Sequence, residues 1–104
     1  MDVYFQVQTP LNITVHTTKE YWQRIVEIKH PSIKRYEKQV KQALENPDQV
    51  RKSKQDANVY LYYKSIGKIA VCVVVDVISK SGGYIITAYL TDRIKEGEKV
   101  YDKN

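Results

Sequence analysis

Ile69-Ala70-Val71-Cys72-Val73-Val74-Val75-Asp76-Val77-Ile78, then Ser81-Gly82-Gly83, then Tyr84-Ile85-Ile86-Thr87-Ala88-Tyr89-Leu90-Thr91 read as a strand, a tight turn and a returning strand. The first segment is apolar on both faces except at Asp76, which marks a central strand. Ser81-Gly82-Gly83 supplies the backbone freedom that a hairpin turn demands. In the returning strand, residues two apart share a face. Ile86, Ala88 and Leu90 are therefore expected to point into a core. Thr87, Tyr89 and Thr91 form a row of hydroxyls on the opposite face.

Working outward, Asn58 to Lys64 is rich in β-formers, with Val59, Tyr60, Tyr62 and Tyr63, and Ile66-Gly67-Lys68 connects it tightly to the central strand. Val50 to Ser53 reads as a further short strand, and Lys54 to Asn58 as a polar turn. Nearer the N-terminus, Val3 to Thr9 alternates until Pro10 stops it, and Asn12 to His16 makes a second short strand. Thr17-Thr18-Lys19-Glu20 has the spacing of a capping box, with Thr17 as the cap. The helix it opens runs to about Lys29, with Trp22, Ile25 and Val26 on its inner stripe. His30-Pro31 breaks it, because the residue before a proline is driven out of the helical region while Pro suits a new first turn. A second helix is expected from about Ser32 to Glu45, burying Ile33, Tyr36, Val40 and Leu44, and Asn46-Pro47-Asp48 ends it. The tail after Asp92 is charged and reads as partly exposed. The expected fold is α+β: N-terminal short strands and two helices packed on one face of a C-terminal antiparallel sheet of about four strands.

A chain of 104 residues fits one domain, residues 1–104, and its 42% hydrophobic and 28% charged content is that of a globular protein. The lone cysteine, Cys72, excludes an intramolecular disulfide, and in an apolar run it reads as a small buried hydrophobe. No basic start followed by an apolar stretch marks a signal peptide, and no run is long enough to span a bilayer. A cytoplasmic protein without membrane association is expected. The net charge is +5, and between Lys29 and Lys54 eight basic residues stand against three acidic ones, a surplus equal to that of the whole chain. A concentrated basic stretch suits a polyanionic partner, nucleic acid above all, although a solvated lysine-rich helix face has the same composition.

No phosphate-binding glycine loop, Cys-x-x-Cys, nucleophile elbow or His-Glu-x-x-His is present. The two histidines stand far apart with no nearby acid pair, so neither a metal nor another cofactor is expected. Metal-free cleavage of RNA needs little: the substrate supplies its own 2′-OH, and the protein supplies a base, an acid and groups around the phosphate. His30 fits that need by residue type, since imidazoles titrate near neutrality and a helix break holds it near the surface. A capping or packing histidine would look the same. Arg51 can clamp a phosphate with its planar fork, and Ser53 shares its strand face. Thr87 and Tyr89 can donate to a phosphate. Asp56 suits a turn cap as well as a site. Tyr60 and Tyr62 share a face that is either a stacking platform for bases or half-buried sheet.

The order of these residues resembles a known group. Trp22-x-x-Ile25, His30-Pro31 and Ala43-Leu44-Glu45-Asn46-Pro47-Asp48-x-Val50-Arg51-x-Ser53 come first. Asp56, Val59-Tyr60-Leu61-Tyr62-Tyr63 and Ile86-Thr87-Ala88-Tyr89-Leu90-Thr91-x-x-Ile94-x-x-Gly97 follow. The series is similar to the bacterial and phage nuclease-like domains grouped with barnase, EndoU, colicin-type tRNases and RelE toxins (the BECR fold). The resemblance implies a small metal-independent ribonuclease, toxin-like or phage-related, that cleaves RNA by 2′-OH attack. It carries His30, Arg51, Ser53, Thr87 and Tyr89 as catalytic residues and Asp56 beside them; Lys52 and Lys54 of the basic stretch and Tyr62 of the tyrosine-rich strand join Asp56 as the substrate-binding candidates. RNA is the implied partner, and an antitoxin or immunity protein is a second. The alternative on the same residues is a non-catalytic nucleic-acid-binding or protein-interaction module.

Overall fold

The computed structural model describes residues 2–94 and 97–103. Seven strands form one sheet: β1 (Val3–Gln8), β2 (Thr14–Thr18), β3 (Gln49–Ser53), β4 (Val59–Ile66), β5 (Ile69–Val77), β6 (Gly82–Thr91) and β7 (Gly97–Asp102). Their order across the sheet is β1-β2-β6-β5-β4-β3-β7. Every neighbouring pair is antiparallel except β2 and β6, which run parallel. The expected antiparallel sheet of about four strands is thus corrected to a mixed sheet of seven. Two pairings distant in sequence account for the difference. The N-terminal hairpin joins the sheet through Thr14–His16 beside Gly82–Tyr84. The charged tail, expected to be partly exposed, forms β7 along β3, where Tyr101 faces Val50. Gly97 opens that strand because a Cβ there would stand 2.5 Å from the Lys52 carbonyl oxygen, closer than any side chain allows.

Between β2 and β3 lies the helical layer. Helix α1 (Lys19–Arg24) is capped by Thr18, whose Oγ1 accepts from Tyr21 N at 3.1 Å, one residue later than the expected Thr17. Thr17 is instead buried on β2. The helix widens into a π turn at Ile25–Lys29, closed by His30 N donating to Ile25 O at 2.8 Å. Pro31 then starts a 3₁₀ segment (Pro31–Tyr36), which leads into α2 (Glu37–Glu45). The proline therefore splits the helical run where expected, but the second helix is α-helical only in its second half.

Trp22, Ile25, Val26, Ile33, Val40, Ala43 and Leu44 from this layer pack on Val50, Tyr62, Val71, Val73, Val75, Ile85 and Ala88 of the sheet. The opposite face of the sheet carries a smaller cluster of Leu61, Tyr63 and Cys72, with Val74 and Tyr89 against it. A bulge decides which side chains of β6 face which way. Val75 faces Ile85 and Val74 faces Thr87, so Ile86 is an extra residue without a partner on β5. Ile85, rather than the expected Ile86, takes the core position and is fully buried. Past the bulge, Ala88 faces the core, and Thr87 and Tyr89 face the other way. Among the described residues no helix is long and apolar enough to cross a membrane.

Candidate functional site

A cleft of about 670 Å³ opens on the face of the sheet away from the helices. Its lining comes from five places in the chain: His30 after the π turn, Ser53, Lys54 and Gln55 at the end of β3, Leu61 on β4, Val74 on β5, and Thr87 and Tyr89 on β6. Local chemistry explains how each reaches it. His30 sits at φ −145°, ψ 77°, outside the helical region that a following proline disfavours, and this turns it out of the helical layer. The helix end is clamped to the bulge. Tyr21 Oη donates to Ile86 O at 2.7 Å, and Lys29 Nζ donates to Tyr21 Oη at 3.0 Å and to Ile86 O at 3.2 Å. The carbonyl that the bulge turns out of the ladder is thus the anchor for the residue preceding His30. β2 covers β6 only as far as Tyr84, which leaves the stretch from Ile85 onward open to this approach. The His30 and Tyr89 rings then stand 5.4 Å apart, tilted by 38°.

The β6 side of the cleft has a definite electrostatic character. Burial raises the pKa of the Tyr89 hydroxyl well above the ordinary tyrosine value, and the neighbouring Cys72 thiol and Tyr63 add to it. Tyr89 therefore stays protonated at neutral pH and does not serve as a base. Thr87 Oγ1 is buried and has no hydrogen-bond partner among the described residues, which leaves a hydroxyl in want of one. On the β3 side, Ser53 Oγ accepts from Gln55 N at 3.2 Å, an interaction that folds the turn and sets Lys54 and Gln55 on the rim.

Five of the expected residues, His30, Ser53, Lys54, Thr87 and Tyr89, line this one cleft. Four do not. Arg51 shares the face, but its Nε donates to Gln49 Oε1 at 2.7 Å and its Nη1 to Gly97 O at 3.1 Å, so it braces β3 against β7 instead of lining the cleft. Lys52 alternates to the opposite face, where its ammonium lies 5.9 Å from the Tyr60 ring centroid. Asp56 caps the turn after β3, accepting from Asn58 N at 2.9 Å. Tyr62, taken above for a substrate-binding residue, is fully buried in the helix-side core, and its Oη donates to Thr9 Oγ1 at 3.0 Å. Alternation on β4 sends Tyr62 inward and Leu61 and Tyr63 to the cleft face.

Leu61, Val74 and Gln55 are lining residues that the sequence reading missed. Leu61 and Val74 are ordinary strand hydrophobes, and only register distinguishes them from core residues. Gln55 follows Ser53 within a turn already recognisable as polar, which was the available signal. Among the described residues no group of three or more His, Cys, Asp or Glu side chains could hold a metal ion. No family model, curated protein or solved structure matches this chain.

Proposed function

We propose that the chain is a small metal-independent endoribonuclease-like protein whose cleft takes a phosphodiester of RNA. The observation that carries this reading is the convergence of His30, Ser53, Lys54, Thr87 and Tyr89 on a single open cleft. In the reaction, the 2′-oxygen bonds to phosphorus as the bond from phosphorus to the 5′-oxygen breaks. One proton leaves the 2′-oxygen and one arrives at the 5′-oxygen, and the products are a 2′,3′-cyclic phosphate and a free 5′-hydroxyl. His30 serves one of these two transfers, and solvent in the open cleft serves the other. Lys54 offsets the charge of the phosphate oxygens, while Thr87 and Tyr89 line the wall beside His30 with their hydroxyl oxygens buried. The resemblance to BECR-fold nucleases supports the same reading and adds a neutralising antitoxin or immunity protein as its partner.

A second reading, that of a non-catalytic RNA-binding module, rests on Arg51. The residue expected to clamp the phosphate is engaged with Gln49 and Gly97 instead. One experiment separates the two: pure protein is incubated with RNA in EDTA and the ends are analysed. Cyclic-phosphate ends from the wild type, reduced about 100-fold or more in His30→Ala, support the ribonuclease. Salt-sensitive binding without cleavage supports the binding module. Equal cleavage by both proteins removes His30 from the chemistry.

A further inference from the structure

The cleft has two polar ends separated by an apolar bridge. Arg51 faces Leu61 across β3 and β4, Leu61 faces Val74 across β4 and β5, and Val74 faces Thr87 across β5 and β6. Neighbouring strands stand about 4.8 Å apart, so the row from β3 to β6 spans about 14 Å. His30, Thr87 and Tyr89 lie at its β6 end, and Ser53, Lys54 and Gln55 lie at its β3 end. Between them, among the described residues, the cleft floor is Leu61 and Val74.

A phosphate cannot rest on that floor, because an anion pressed onto aliphatic side chains loses its water without gaining a partner. A nucleobase can, since its flat ring buries apolar surface while its edges remain available for hydrogen bonds. The base must be free of a pairing partner and unstacked to present that face. On the reading of the cleft as an RNA site, we propose that Leu61 and Val74 form a subsite for one unpaired base next to the phosphate held at the His30 end of the cleft. The phosphate two nucleotides along the strand lies at the Ser53–Lys54 rim, since one nucleotide step covers only about half of the distance between the two ends. The substrate is then single-stranded and engages the cleft through two phosphates with an unpaired base seated between them.

The test measures binding to the whole protein in EDTA. The probes are a fluorescent 2′-O-methyl tetranucleotide, which lacks the attacking hydroxyl, and an abasic phosphodiester of equal length and charge. Wild-type protein should bind the base-bearing probe about 10-fold more tightly, in keeping with about 1.4 kcal/mol for one seated base. Val74→Thr, nearly the same shape but polar, should lose about 3–10-fold on the base-bearing probe and nothing on the abasic one. The abasic comparison uses wild-type protein, so a folding defect in the variant leaves it decisive. Equal affinity of the wild type for both probes overturns the base subsite while leaving the phosphodiester site standing. An equal loss by Val74→Thr on both probes, or no loss on either, also overturns it. Failure of the wild type to bind either probe removes the RNA reading and the subsite together.

Discussion

Replacing Tyr62 by Phe should change the sign of its stability effect as pH rises. Tyr62 is fully buried under the helices, and its hydroxyl donates to Thr9 Oγ1 at 3.0 Å. Near neutral pH the variant loses that bond, and Thr9 Oγ1 keeps only the Leu11 N–H, which donates to it at 3.3 Å. The cost is about 1 kcal/mol. At alkaline pH the balance reverses. Burial pushes the Tyr62 pKa from 10.0 up to about 12. Below 10.0 the residue is protonated in both folded and unfolded chains, and the wild type keeps its full advantage. Between 10.0 and about 12 the unfolded chain releases a proton that the folded one retains, so stability falls as pH rises. A shift of this size costs about 2–3 kcal/mol once pH has passed the folded value. The variant has no such proton to lose. Urea unfolding followed by far-UV circular dichroism should therefore find Tyr62→Phe less stable by about 1 kcal/mol near neutrality and more stable by about 1–2 kcal/mol above the folded pKa. A difference between the two proteins that stays flat across this range would refute the burial of the hydroxyl.

Other substitutions test the supports of the cleft and the sheet. Tyr21→Phe removes the 2.7 Å bond to the Ile86 carbonyl and should cost about 1 kcal/mol in thermal unfolding, with a change in the His30 imidazole resonances; unchanged resonances would mean that the clamp does not set His30. Gly83→Ala would place a Cβ 2.9 Å from Asp76 O and 3.1 Å from Val75 Cγ1, inside the β5–β6 pairing. Its urea midpoint should drop by the equivalent of about 1–3 kcal/mol. Thr18→Ala removes the cap from a helix of six residues and should destabilise by about 1 kcal/mol, whereas an exposed neighbour such as Lys19→Ala should change little.

Much of this protein is local and was legible as such. The turn at Gly67, the break at Pro31 and the apolar β5 follow from residues close together in sequence, whereas the expected turn at Ser81-Gly82-Gly83 falls instead at residues 78–81, with Gly82 and Gly83 paired inside β6. The candidate site was legible in part for the same reason. His30 is displaced by its own proline, and Thr87 and Tyr89 share a strand face whatever lies beside them. Arg51 and Tyr62 were misplaced because their roles depend on distant segments. Arg51 meets the carbonyl of Gly97, and Tyr62 meets Thr9.

The sequence by itself determined the periodicities, the breaks and the residue types available for chemistry. Each of these follows from backbone sterics and side-chain alternation over a few residues. The tertiary structure alone decided that β2 runs parallel to β6, that the tail closes the sheet as β7 and that the bulge exchanges Ile85 for Ile86. It also decided that Leu61 and Val74 floor the cleft between two polar ends. The physical reason is register. A one-residue shift in strand pairing turns every side chain to the other face, and register is set by contacts between segments far apart in the chain.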